Sequence, residues 1–195
     1  MTWAERLANY AKETGYPLAA SVDANGQVYG IWVMGNDYST GTSLYGGYPH
    51  GYLARIKALF PEKRRVLHLF SGDVALDVLP GDTVDIRADR RPTYVDDAQT
   101  LALVPVEEYD LVCADPPYSV EDAEHYGPTM VKRNKVMDAL GQRMTPGAHV
   151  AWLDQVLPMY RKADFAVEGY VGMVKSTNHR FRVVTIFRKK EQGAC

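Results

Sequence analysis

The sequence has few of the features that mark a secreted, membrane or metal-binding protein. Its two cysteines, Cys113 and Cys195, lie far apart, one in an apolar run and one at the end, which favours free thiols in a reducing cytoplasm. No apolar run approaches the ~18–20 residues that cross a bilayer, and residues 1–7 show no signal-peptide pattern. The histidines are scattered without the spacing of metal ligands, so we predict no metal site.

The chain also lacks a basic excess. Its 22 Lys and Arg residues are outnumbered by 24 Asp and Glu residues, which argues against a large nucleic-acid footprint. Short basic clusters such as 63–65 and 87–91 are typical of solvated surface. With 46% apolar residues in 195, the composition predicts one globular domain with a sizeable core.

The first part of the chain, residues 1–35, reads as a small appendage. Apolar spacing predicts a helix over 3–14, and the Asn25-Gly26 pair predicts a tight turn in a hairpin over 17–34. Residues 36–195 are assigned to the main domain, which opens with a Gly- and Tyr-rich loop and a helix over 51–60 that Pro61 closes.

Strand and helix signals then alternate along the main domain. The predicted strands are short apolar runs at 66–70, 83–86, 92–95, 111–114, 149–153, 165–174 and 181–188. A helix is predicted within 128–143. Because these runs are apolar without strict alternation, both faces of the sheet are expected to be covered. The pattern predicts an α/β fold: a doubly wound, Rossmann-like sheet closed by a C-terminal antiparallel hairpin.

Residues directly after the strands are the candidates for ligand binding, because open α/β sheets bind ligands at the carboxyl ends of their strands. Phe70-Ser71-Gly72 follows the first strand, and its glycine permits close approach of the backbone. Asp85 lies on the second strand, where a carboxylate can accept ribose hydroxyl protons. Asp97 follows the third, as does Asp96, and either can instead cap the following helix.

The segment Asp115-Pro116-Pro117-Tyr118 follows the fourth strand. Two prolines stiffen it and leave more carbonyl acceptors than amide donors. A carboxylate, free carbonyls and a ring suit a planar group that carries an NH₂, since the oxygens accept its hydrogens and the ring stacks on its face.

These two segments, about 45 residues apart, resemble the hallmarks of the AdoMet-dependent amino-methyltransferases, which modify adenine N6 or cytosine N4. The resemblance covers roughly residues 36–190, and the compact form resembles small methyltransferases encoded by phages. It implies a class I methyltransferase fold, S-adenosyl-L-methionine (AdoMet) as cofactor, and a cytoplasmic location in a bacterial or phage-infected cell.

The resemblance also implies roles for individual residues. Phe70, Ser71 and Gly72 would wrap the methionine end of AdoMet, Asp85 would bind its ribose, and Asp97 its adenine. Tyr45 and the residues up to Pro49 would complete that pocket. Asp115, Pro116, Pro117 and Tyr118 would be catalytic, and Tyr118, Arg180 and Arg182 would contact the substrate. The sequence departs from the family pattern at His68, where an acid is common, and at Val74, where a second glycine is common.

The preferred function is methylation of adenine N6 in DNA. Only about 30 residues separate Tyr118 from the fifth strand, which leaves no room for a target-recognition region and predicts little sequence specificity. RNA, a free nucleotide or a protein amide stay open as acceptors, as do a homodimer, a partner subunit and a non-catalytic role.

Two other enzyme classes fit less well. Phe70-Ser71-Gly72 is also similar to a cytosine-C5 methyltransferase motif, but Cys113 follows Val112 rather than proline and is typical of a core thiol. A nucleotide-binding oxidoreductase is disfavoured, because no Gly-x-Gly-x-x-Gly follows the first strand.

Overall fold

A computed structural model of the protein describes residues 1–16, 19–35, 48–117, 130–175 and 181–191. The described residues form three α-helices: α1 (Trp3–Thr14), α2 (Tyr52–Leu59) and α3 (Arg133–Arg143). They also form nine strands of one sheet: β1 (Ala19–Val22), β2 (Val28–Met34), β3 (Val66–Leu69), β4 (Asp82–Asp85), β5 (Tyr94–Val95), β6 (Leu111–Ala114), β7 (His149–Asp154), β8 (Phe165–Lys175) and β9 (Phe181–Lys189).

The strand order across the sheet is β1-β2-β8-β9-β7-β6-β3-β4-β5. The strands β3 to β7 run parallel, whereas β9 is antiparallel to both β7 and β8. The prediction of a doubly wound, Rossmann-like sheet with a closing antiparallel hairpin is therefore confirmed. Chain order reverses between β3 and β6, which makes this pair the switch point where ligands bind in open α/β sheets.

Alternate residues of the central strands pack into two apolar layers. Val66, Cys113 and Leu153 face α1 and α2, while Leu67, Val112 and Trp152 face α3. Both faces of the central strands are thus covered, as their continuous apolar runs predicted.

The N-terminal elements have the predicted helix and hairpin. A reciprocal pair of hydrogen bonds between Thr2 and Glu5 caps α1. In the turn between β1 and β2 only Gly26 takes a positive φ, of 79°, and the Asp23 carboxylate accepts the amide protons of Asn25 and Gln27. The turn is therefore longer than the two-residue turn that Asn-Gly favours. The hairpin joins the main sheet, because β2 pairs in parallel with β8. The domain boundary near residue 35 stays a prediction.

The connection from β3 to β4, residues 70–81, contains no helix. The sequence departs from the family pattern at His68 and Val74, and both residues stabilise this connection. His68 is fully buried, its Nε2 lies 3.0 Å from the Leu79 carbonyl oxygen, and Val74 packs against the apolar layer below. Since a carbonyl only accepts, Nε2 carries the proton, and burial lowers the pKa of His68 so that the ring stays neutral.

Candidate functional site

The segments that follow β3 and β6 lie beside each other at the switch point. Leu69 and Ala114, the last residues of the two strands, are paired in register. Phe70-Ser71-Gly72 and Asp115-Pro116-Pro117 therefore leave the sheet side by side. The topology brings together the two sequence motifs that predicted the site.

The segment after β3 has a strained backbone. Phe70 has a φ of 57° and Gly72 a φ of 49°, both in the left-handed region that a phenylalanine rarely adopts. Ser71 between them donates its backbone N–H to the Val84 carbonyl, which holds the segment against β4. Strain of this kind persists where neighbouring contacts fix it, and it clusters at ligand sites.

Asp85, at the end of β4, holds the segment that follows β3 in place. Its Oδ2 accepts the Gly72 N–H at 2.9 Å, and its Oδ1 accepts the Arg87 N–H at 2.9 Å. A carboxylate has about four acceptor positions, so two remain for a ligand's hydroxyl groups. Beside it the Ser71 hydroxyl is buried and has no hydrogen-bond partner within the described residues. Spare acceptors and an orphaned hydroxyl next to a tight backbone turn fit a polar nucleoside ligand such as AdoMet.

Asp97 makes local contacts in its own turn. Its Oδ1 accepts the backbone N–H of Gln99 at 2.9 Å, and the Gln99 side-chain amide lies within 3.3 Å of both carboxylate oxygens. The neighbouring Asp96 likewise accepts the Leu103 N–H at 2.7 Å. Both acids thus hold the backbone of a turn; residues 98–104 contain no helix, so the helix cap that the sequence left open for them is not formed.

Asp115 lies in a largely buried corner beside a cation. Its Oδ2 is 3.8 Å from Nη1 of Arg182 on β9, and their side chains are only 12% and 16% exposed. Pro116 and Pro117, which follow it, are buried. With so little water nearby, an interaction between charges is stronger than on an open surface.

The aromatic rings of Tyr48 and Tyr52 lie near Asp115. Their rings stack at 5.2 Å, and the Tyr48 hydroxyl donates to the Cys113 carbonyl at 3.2 Å. Burial raises the pKa of both hydroxyls well above the usual range, and the nearby Cys113 and Asp115 raise it further. Both tyrosines therefore stay neutral donors. The Tyr52 hydroxyl is buried and makes no hydrogen bond with any described residue.

The sequence singled out Tyr48 only as part of a loop, and it missed Tyr52. No local signal pairs the two rings, because Tyr48 precedes the N-cap residue Gly51 and so lies outside α2. Three other predicted site residues, Tyr45, Tyr118 and Arg180, lie outside the described residues.

Cys113 is a buried free thiol, which confirms its interpretation as a core residue. Burial raises its pKa to about 12, so it is not a thiolate at neutral pH. Across the described part of the chain, no group of three His, Cys, Asp or Glu side chains is placed to hold a metal ion. None of the helices described there combines the length and apolar character that a bilayer crossing requires.

Comparison with known proteins gives matches among solved structures alone. No protein-family model and no curated protein matches the chain. One similar structure is TrmN from Thermus thermophilus, with 19% identity over 64% of this chain and a TM-score of 0.46; the chain spans 43% of the length of that protein.

Two more similar structures have comparable lengths. N-methyltransferase NodS from Bradyrhizobium japonicum WM9, in complex with S-adenosyl-L-homocysteine, has 12% identity over 73% of this chain and 86% of its own, with a TM-score of 0.47. An rRNA methylase from Streptococcus thermophilus has 11% identity over 67% and 89%, with a TM-score of 0.44. None of these similarities assigns a substrate to this chain.

Proposed function

We propose that this protein is an AdoMet-dependent methyltransferase that methylates an exocyclic amino group of a nucleobase, with adenine N6 in DNA as the preferred acceptor. The observation that carries the proposal is the pairing of Leu69 with Ala114. It brings a strained Phe-Ser-Gly corner and an Asp-Pro-Pro corner together at the switch point of the sheet.

On this proposal the cofactor binds along the ends of β3 to β5. Phe70, Ser71 and Gly72 hold its amino-acid end, Asp85 accepts from its ribose, and Asp97 lies towards its adenine. AdoMet supplies an activated methyl group bonded to a sulfonium. Tyr45 and the basic residue Arg180 remain candidates from the sequence for cofactor and substrate contacts.

The chain's own residues activate the acceptor amine. An aryl amine is a weak nucleophile because its lone pair is delocalised into the ring. When the Asp115 carboxylate and the Pro116 carbonyl accept its two N–H groups, the nitrogen can become pyramidal and its lone pair is freed. Positive charge then develops on the nitrogen, and the fixed carboxylate stabilises it more in the transition state than in the ground state.

Arg182 and the two tyrosines, Tyr48 and Tyr52, support the Asp115 carboxylate as a hydrogen-bond acceptor. The guanidinium 3.8 Å away favours the ionised form of Asp115, which only accepts hydrogen bonds. The orphaned Tyr52 hydroxyl offers a donor beside it, and Tyr118 is the proposed stacking ring for a base flipped out of a duplex.

The acceptor can be identified directly. The protein is incubated with AdoMet labelled in its methyl group and, separately, with duplex DNA, single-stranded DNA and RNA, and the digested nucleosides are separated. We expect label in N6-methyladenine from DNA. Label only from RNA would replace DNA by RNA as acceptor. If no nucleic acid is labelled and calorimetry detects no AdoMet binding, the proposed activity is wrong and a non-catalytic subunit is favoured.

A further inference from the structure

Tyr52 carries a buried hydrogen-bond donor that the described chain does not use. It is the first residue of α2, its side chain is fully buried, and its hydroxyl makes no hydrogen bond with any described residue. A buried polar group without a partner is destabilising, and such groups are rare in folded proteins. Since a phenylalanine ring would fill the same space without this penalty, the hydroxyl points to a partner from outside the described residues.

The Tyr52 hydroxyl lies near the carboxyl end of β6. The Tyr52 ring stacks on the Tyr48 ring at 5.2 Å with 16° between their planes, and the Tyr48 hydroxyl donates to the Cys113 carbonyl at 3.2 Å. Asp115 follows two residues after Cys113. Both Cys113 and Asp115 raise the pKa of Tyr52, which agrees with a short distance between these groups. The unused donor is therefore next to the carboxylate that accepts from the acceptor amine in the proposed function.

The neighbouring groups already have partners of their own. Asp115 faces Nη1 of Arg182 at 3.8 Å, and the Tyr48 hydroxyl is bonded to the Cys113 carbonyl. Burial raises the pKa of Tyr52 well above its usual range, so the hydroxyl keeps its proton at neutral pH and can donate. The site thus presents an acceptor, the carboxylate, and beside it a donor, the hydroxyl.

Adenine and cytosine present the complementary pair of atoms. In each, the carbon that carries the NH₂ group is also bonded to a ring nitrogen that accepts a hydrogen bond, N1 in adenine and N3 in cytosine. The N1 of guanine, next to its amino group on the same edge, carries a hydrogen and donates instead. Bases flipped out of a helix are read by hydrogen bonds to this Watson–Crick edge. A carboxylate beside a hydroxyl therefore fits the edge of adenine or cytosine.

We propose that the Tyr52 hydroxyl donates to the ring nitrogen beside the reacting amine, which is N1 in the preferred acceptor adenine, and so helps to select the base. This inference rests on the proposed function, because it takes Asp115 as the acceptor of one amine N–H. Bonds to two adjacent atoms fix the orientation of the base and of its amine. A base without the ring nitrogen leaves the buried hydroxyl unpaired and is disfavoured.

Methyl transfer to DNA oligonucleotides with altered adenines tests this contact. In 1-deazaadenine a carbon replaces N1, whereas 7-deazaadenine keeps N1 and is the matched control substrate. For the wild-type protein we expect kcat/KM to fall ~10- to 100-fold with 1-deazaadenine, and by no more than ~3-fold with 7-deazaadenine. Tyr52→Phe should be slower than wild type with adenine, and its further loss with 1-deazaadenine should stay within ~3-fold, because the contact is already missing. This comparison cancels the effect of the ring change on the amine itself.

Tyr48→Phe is the matched protein variant. It removes the hydroxyl of the neighbouring ring, which donates to the Cys113 carbonyl, and it should keep the wild-type loss with 1-deazaadenine. Circular dichroism checks that each variant is folded. If the methylated base is cytosine, 3-deazacytosine replaces 1-deazaadenine and the same ratios apply.

Two results would overturn this inference while the proposed function stands. One is an equal loss with 1-deazaadenine in wild type and in folded Tyr52→Phe, and the other is a wild-type protein that does not distinguish 1-deazaadenine from adenine. A wild-type protein that methylates no base of the unmodified oligonucleotide would instead overturn the proposed function and this inference together.

Discussion

Replacing Arg182 is the sharpest test of how the corner around Asp115 works. Its Nη1 lies 3.8 Å from Oδ2 of Asp115, and neither side chain is more than 16% exposed. At that distance an effective dielectric constant of about 20 gives an attraction of about 4 kcal/mol. Losing the guanidinium therefore removes up to about 4 kcal/mol of stabilisation from the ionised Asp115 carboxylate.

The assay is the pH dependence of methyl transfer under saturating AdoMet. In Arg182→Met we expect the acidic limb of the rate profile to move to higher pH, because the ionised carboxylate loses part of this stabilisation. The rate at high pH should recover towards wild type. Arg182→Lys, which keeps a positive charge, should shift the limb much less.

A purely structural role for Arg182 would lower the rate by a similar factor at every pH. An unmoved acidic limb in Arg182→Met, together with an equal loss in Arg182→Lys, would therefore refute the electrostatic reasoning.

Three further changes have distinct expected results. Asp85→Ala leaves two backbone N–H groups without their acceptor, so it should lower the free energy of unfolding by about 2–4 kcal/mol and weaken AdoMet binding. Asp85→Asn should have a smaller effect on stability and on AdoMet binding. Urea denaturation measures the first quantity and calorimetry the second. Tyr52→Phe removes a hydroxyl that has no partner among the described residues, so stability should hold or rise while the KM for the acceptor increases. Unchanged kinetics would exclude Tyr52 from substrate binding. Burial lowers the pKa of His68 and His149, so the unfolded chain binds more protons below about pH 6.5 and stability should fall from pH 7 to 5 by up to about 1.4 kcal/mol per pH unit for each ring. His68→Gln should reduce that slope, and an unchanged slope would contradict the assignment.

Much of the fold was predictable because its signals are local. The strand over 111–114 was predicted with its observed bounds, since an apolar run stops at an acid and two prolines that cannot continue a sheet. The helix over 3–14 also has its predicted bounds, which its apolar spacing indicated. Phe70-Ser71-Gly72 and Asp115 were predicted as site residues because strand ends are where α/β sheets bind ligands, and their roles stay predictions.

The rest depends on contacts between distant residues. The parallel pairing of β2 with β8 joins segments about 140 residues apart, and nothing local in either strand specifies that partner. The approach of Arg182 to Asp115 depends on the register of β9, since a shift by one residue would turn that side chain to the other face. The role of His68 was not predicted, because comparison with the family pattern drew attention only to the missing acid. In the structure its ring hydrogen-bonds to the Leu79 carbonyl.

The central claim is that Asp115 accepts from the amine that receives the methyl group. The most direct measurement compares single-turnover methyl transfer with calorimetric AdoMet binding in wild type, Asp115→Asn and Asp115→Ala. We predict that AdoMet binding changes by no more than a few-fold, that transfer is reduced in Asp115→Asn because one acceptor oxygen remains, and that it is abolished in Asp115→Ala. Substantial transfer by Asp115→Ala, or loss of AdoMet binding in step with loss of transfer, would contradict this role.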